Sequence, residues 1–193
     1  MLLCDEEYEA MTDERNMMRD EVIDMEESDF YTLANTDRMG IFLICIKNRC
    51  GELSGNIVNF YLKEPVAFCG ILDMALKIDI LCTRLSRPMA TTEMRFLDEH
   101  MRKTYEKQVL NQVYAPLKTC SDIQEMDKFM SLAAKAYETL VIEIHQRQFS
   151  SMQGRMKGAC QKGKFVSFRS ALELMRMLRG YEYIRNEKIT KRQ

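Results

Sequence analysis

Leu140-Val141-Ile142-Glu143-Ile144-His145, then Gly154 to Cys160, then Phe168-Arg169-Ser170-Ala171-Leu172-Glu173-Leu174-Met175: these stretches decide how the chain is read, because one hundred residues earlier the arrangement is already present. There it runs as Ile41-Phe42-Leu43-Ile44-Cys45-Ile46, then Asn56 to Leu62 closed by Pro65, then a helical segment from Phe68 to Leu85. Short apolar runs bounded by turn residues such as Asn48-Arg49-Cys50-Gly51 and Lys162-Gly163-Lys164 read as strands. Gly55 matches Gly154 at an offset of 99 and Phe68 matches Phe168 at an offset of 100. With that one inserted residue the helical stripes coincide: Ile71 with Ala171, Met74 with Leu174, Ala75 with Met175, Ile78 with Leu178, Leu81 with Tyr181. So many residue types agreeing in register point to duplication of a ββα unit, a hairpin plus a helix. A unit of about 45 residues buries too little apolar surface to stand alone, so the two copies must share a core, as one pseudo-symmetric domain or as two touching lobes.

Outside the two copies the spacing is helical. Tyr8, Met11, Arg15, Met18, Val22 and Met25 recur every three or four residues and predict an amphipathic helix with a thin apolar stripe. Thr92 to about Val113 reads as a helix that Pro116 breaks, and Ser121-Asp122-Ile123-Gln124 has the form of a capping box opening another through Phe129, Leu132 and Ala133. The expected architecture is α+β, in four parts. An acidic N-terminal helical segment covers 1–34, the first ββα repeat 35–90, a helical insert 91–137, and the second repeat with a basic tail 138–193.

With 193 residues, 46% hydrophobic and 30% charged, the chain is long enough for one sizeable core. Its longest apolar stretch is far short of the ~20 residues that span a bilayer, and no basic-then-apolar leader opens it, which predicts a cytoplasmic protein without a membrane partner. The seven cysteines are odd in number and none form Cys-x-x-Cys, so a disulfide framework or zinc site is not expected. The net charge of −1 hides a strong asymmetry. Residues 1–29 hold twelve acids against Arg15 and Arg19, whereas residues 155–193 hold eleven bases against three acids. Either the two ends meet each other within one molecule, or concentrated like charge steers a partner. Glu6, Glu9, Asp13, Asp20, Glu21 and Asp24 are the candidate partner-binding acids.

Catalytic chemistry has little to work with. There are two histidines, His100 in a charged helix and His145 in a strand, and no phosphate-binding loop, nucleophile elbow or metalloprotease motif. No catalytic residue, metal ligand or cofactor is expected. The second hairpin is more informative, since strict alternation puts Ile142, Ile144, Met156 and Cys160 inward and Glu143, His145, Arg147, Arg155 and Lys157 outward. That mostly cationic face, continued by Lys162, Lys164, Arg169, Arg176 and Arg179, is a candidate surface for the phosphates of DNA or a guide RNA, with an ordinary solvated face as the alternative. Phe165, Tyr181 and Tyr183 form no stacking motif for single strands.

The segment from Gln153-Gly154 through Phe168-Arg169-Ser170-Ala171-Leu172-Glu173-Leu174-Met175, with its echo ending in Leu72-Asp73-Met74-Ala75-Leu76, resembles small proteins carried by conjugative elements and prophages of gut Clostridia. The resemblance covers roughly residues 40–85 and 138–182. Some accessory proteins of such elements look like anti-CRISPR inhibitors, among them a type II-A family from Lachnospiraceae-like bacteria. The resemblance implies a non-enzymatic inhibitor, in the cytoplasm of a bacterial host, that binds a CRISPR effector nuclease loaded with its guide RNA and blocks target DNA. A DNA-binding accessory or regulatory protein of the element, acting on duplex DNA, is the alternative. Exposed helices and strand edges also allow a homodimer.

Overall fold

An apolar residue at every position from Ile41 to Ile46 leaves neither face of that strand for water, so it can lie only at the centre of a covered sheet. The computed structural model, which describes residues 40–48, 50–86, 88, 90–112, 126–149, 151–158 and 164–190, places it there. Strands β1 (Ile41–Ile46), β2 (Ser54–Val58), β3 (Val66–Cys69), β4 (Glu138–Gln148), β5 (Ser151–Lys157) and β6 (Val166–Phe168) form one antiparallel sheet in the order β3-β2-β1-β4-β5-β6. β1 pairs with β4 over six residues, from Ile41 opposite Glu143 to Ile46 opposite Glu138. Four helices are described: α1 (Ile71–Leu85), α2 (Glu99–Gln112), α3 (Met126–Lys135) and α4 (Ala171–Thr190). The described residues all belong to one compact unit, and β1–β3 and β4–β6 form one sheet, so the two halves are not separate lobes.

Helices α1 and α4 each follow an edge strand and bury their stripes in one core. Met74, Ile78 and Leu81 from one, and Leu174, Leu178 and Tyr181 from the other, join Phe42, Ile44 and Ile46 of β1 and Ile142 of β4. Full burial of each such side chain contributes roughly 1.5–3 kcal/mol. The opposite face of the central strands is covered as well, for Ile41, Leu43, Cys45, Val58 and Val141 are all buried. Two glycines fit the sheet together. Gly55 stands opposite Phe68 and Gly154 opposite Phe168, and a Cβ at either glycine would run into a backbone carbonyl, that of Cys45 or of Glu143.

Three sequence expectations need correcting here. Phe68 and Phe168 do not open helices. They lie on the short edge strands β3 and β6, and the helices begin at Ile71 and Ala171. Between strand and helix sit Gly70, with φ 87°, and Ser170, whose Oγ accepts the Glu173 N–H at 3.1 Å. The second strands are also shifted: β2 is Ser54–Val58 rather than Asn56 to Leu62, and β5 is Ser151–Lys157 rather than Gly154 to Cys160. Finally, α2 starts at Glu99, where Asp98 Oδ1 accepts the Met101 N–H at 2.7 Å, and not at Thr92. Residues 90–92 are instead tied to β4, with the Thr91 N–H donating to the Arg147 carbonyl at 3.1 Å. The predicted acidic helix of 1–34 lies outside the described residues.

The backbone contacts predict opposite effects for two alanine substitutions. Gly154→Ala should destabilise the fold by about 2–3 kcal/mol, because its Cβ meets backbone rather than a side chain that can move. Gly180→Ala, mid-helix with nothing within 4 Å, should stabilise it by about 1 kcal/mol. Denaturant unfolding of both variants reads the contrast.

Candidate binding surface

Strand β4 carries more of the candidate residues than any other strand, and its alternation is broken. Ile144 faces Gly154 on β5, but the next pair is Gln146 with Gln153, so His145 is an extra residue in a β-bulge. Beyond the bulge the parity inverts. Arg147, expected to point outward, is opposite the buried Met152 on the helix face and is only 4% exposed. There its Nε donates to Asp79 Oδ1 of α1 at 3.0 Å, and its Nη2 lies 2.8 Å from that oxygen and donates to Thr83 Oγ1 at 2.8 Å. Arg147 is therefore a clamp between β4 and α1 and no part of an open cationic face.

On the other face, Glu143 was expected outward among cations. It is on that face but buried, accepting from Arg155 Nε, with His145 Nε2 at 3.3 Å. Arg155 lies over the Phe165 ring at 4.2 Å from its centroid, and Lys157 Nζ at 5.8 Å. Phe165 thus serves as a platform for the ribbon's cations, a role that sequence spacing does not show. At the far end of α4, Glu182 and Arg185 are buried against the β1–β2 turn. Glu182 Oε1 accepts the Leu53 N–H at 2.7 Å, Arg185 Nη2 donates to the Gly51 carbonyl at 2.6 Å, and Asn186 Oδ1 accepts the Gly51 N–H at 3.1 Å. Arg179, although exposed, is paired with Glu182 at 2.5 Å.

What remains of the expected basic surface is Lys164, Arg169 and Arg176. They are exposed, their side chains make no ion pair among the described residues, and they lie before β6, after β6 and on the second turn of α4. The β6–α4 junction is capped, since Glu173 Oε2 accepts the Arg169 N–H at 2.5 Å and the Leu174 N–H donates to the Ser170 carbonyl at 3.0 Å. Lys162 and the acids Glu6, Glu9, Asp13, Asp20, Glu21 and Asp24 lie outside the described residues. His100 is exposed on α2. Among the described residues no group of three His, Cys, Asp or Glu side chains is arranged to hold a metal, and no helix is long and apolar enough to cross a membrane. No family model, known protein or solved structure matches the chain.

Two buried thiols lie in and beside this framework. Burial pushes Cys45 up to about 11 and Cys82, on α1, up to about 12, the latter against the partly opposing pull of Arg147. The folded chain therefore holds both thiols neutral where the unfolded chain ionises them near 9.0. This contribution to stability is complete below pH 9 and is lost as pH rises towards the folded values. The unfolding midpoint should accordingly fall between pH 9 and 11, and a Cys82→Ala variant should show a shallower fall. In the native state iodoacetamide should label the exposed Cys50 and Cys69 well before Cys45 and Cys82, as peptide mass mapping would show.

The two classes of arginine also predict different costs. Arg147→Ala leaves Asp79 without its partner and should lower stability by about 3 kcal/mol. Arg176→Ala should stay within about 0.5 kcal/mol of the parent in the same denaturant titration.

Proposed function

We propose that this chain is a non-enzymatic anti-defence protein of a mobile element that binds a guide-loaded type II CRISPR nuclease and obstructs its target DNA, with the β6–α4 edge as contact surface. The observation that carries the surface assignment is the isolation of Lys164, Arg169 and Arg176, three exposed cations on a capped edge with no ion-pair partner among the described residues. Exposed cations with no carboxylate beside them attract an anionic partner and speed its docking. The resemblance to anti-CRISPR proteins supports the nuclease as that partner.

A second reading is favoured by Arg155 and Lys157, which stand over Phe165 on the strand beside β6 and extend the basic surface. On that reading the chain binds duplex DNA unaided, with affinity that falls steeply as salt rises.

We also infer that the two halves are copies of one unit. Supporting this, Gly55 and Gly154 sit opposite Phe68 and Phe168, and Asp73 and Glu173 accept the N–H groups of Cys69 and Arg169. The unit then includes a third, short strand between hairpin and helix.

Target cleavage by the guide-loaded nuclease, titrated with this protein, tests the main reading. Near-stoichiometric inhibition is expected, and the triple variant Lys164→Glu/Arg169→Glu/Arg176→Glu should need at least tenfold more protein. Unchanged inhibition by that variant removes the edge from the interface. Neutralising Glu6, Glu9, Asp13, Asp20, Glu21 and Asp24 to their amides should then identify the acidic segment if that is what binds. Salt-sensitive duplex binding with no inhibition establishes the second reading instead.

A further inference from the structure

The two edges of the sheet are built alike and finished differently. On β3, alternate residues turn backbone polar groups away from β2, and α1 covers two of them. The Cys69 N–H donates to Asp73 Oδ2 at 2.9 Å, and the Ala67 carbonyl accepts from Lys77 Nζ at 2.9 Å. Asp73 and Lys77 are one turn apart and bridged at 2.8 Å, so the pair forms a plug along the strand. An incoming strand would have to displace both.

On β6 half of that plug is missing. The Arg169 N–H donates to Glu173 Oε2 at 2.5 Å, as Cys69 does to Asp73. The position equivalent to Lys77, however, is Met177, which has no donor and packs partly buried against the core. Ser167, opposite Arg155 in the ladder and equivalent to Ala67, is exposed, and no side chain among the described residues donates to its carbonyl. Val166 is 42% exposed where Val66 is 8%. An edge that the described residues leave uncovered in this way is a template for another strand. Lys164 and Arg169 flank it and Arg176 stands on the helix above, which selects an acidic polypeptide. The same charges disfavour a second copy, because pairing two β6 edges about a two-fold axis would set cation against cation.

We infer that β6 accepts an extended acidic segment of a partner protein as a seventh strand. This rests on the assignment of the β6–α4 edge as the contact surface and commits its occupant to polypeptide rather than phosphate. The edge on β3 takes no strand.

The test uses a fluorescein-labelled octapeptide of alternating glutamate and valine, titrated with the full chain and followed by anisotropy. Saturable binding is expected, together with slowed amide exchange at Ser167. Met177→Lys restores the missing half of the plug and should weaken binding at least tenfold although it adds a positive charge. Ser167→Pro, which removes an outward N–H without touching the ladder, should do the same, both variants being checked for an unchanged melting transition. Met177→Lys binding as tightly as the parent or tighter overturns the inference, since a purely electrostatic surface gains from the added cation. So does absence of peptide binding by the parent, or binding of duplex DNA in its place. A parent chain that inhibits the nuclease through its basic edge but ignores the peptide overturns strand addition alone. One that binds the peptide but does not inhibit overturns the nuclease reading alone.

Discussion

Everything in this fold depends on the pairing of β1 with β4. The six-residue ladder from Ile41–Glu143 to Ile46–Glu138 is the seam between the halves of the sheet, and both strands are covered on both faces along most of it. Register is enforced by side-chain parity, because a slip of one residue would turn Phe42, Ile44 and Ile46 away from α1 and α4. The seam joins residues about a hundred positions apart, so the chain orders a long loop before the ladder returns any stabilisation. Polar clamps at both ends then hold the halves in place. Arg147 ties the β4–β5 hairpin to Asp79 and Thr83 of α1, while Glu182, Arg185 and Asn186 tie α4 to the β1–β2 turn. Each helix thus grips the hairpin of the other half.

Much of this was legible in the sequence where periodicity is strong. The span of β1, the stripes of α1 and α4 and the glycine–phenylalanine correspondence all follow from residue type and spacing. The short edge strands did not, because Phe68, Ile71 and Ala75 fall at helical spacing and Phe168, Ala171 and Met175 repeat it. What separates strand from helix is one residue in the first half, Gly70 with its positive φ, and two in the other, Arg169 and the N-cap Ser170. The inversion at Arg147 was hidden for a related reason. A bulge inserts one residue, His145, and nothing in its side chain announces that it will be skipped by the ladder.

The same inversion governs how the basic C-terminal region must be understood. A run of arginines and lysines looks like one surface in sequence, but burial divides it by task. Arg147 and Arg185 satisfy internal acceptors, and carboxylate or carbonyl oxygens replace much of their lost hydration, although Arg185 Nε meets no acceptor among the described residues. Arg155 and Arg179 sit at the boundary, each holding a buried glutamate, Glu143 or Glu182, whose charge would otherwise be uncompensated. Only after these four are assigned to the fold do Lys164, Arg169 and Arg176 stand out as charge that the fold does not use. Net charge along the chain measures the sum, whereas recognition depends on that remainder.

The comparison of the two edges carries this separation one step further. A sheet with two open edges invites pairing with other chains, so each edge has to be covered, charged or given a partner. On the proposed duplication both edges are carried by the same scaffold, a short strand followed by a helix. At corresponding positions Met74 and Leu174, and Ile78 and Leu178, are all apolar and buried in that core. At the next corresponding position Lys77 is a donor, bonded to a strand edge and to its own helix, and Met177 has no donor. In the first half Lys77 is bridged to Asp73, whereas Met177 packs partly buried against the core. On the proposed duplication, the position without a donor, Met177, falls beside the three cations that the fold does not use, on the edge proposed to accept a strand.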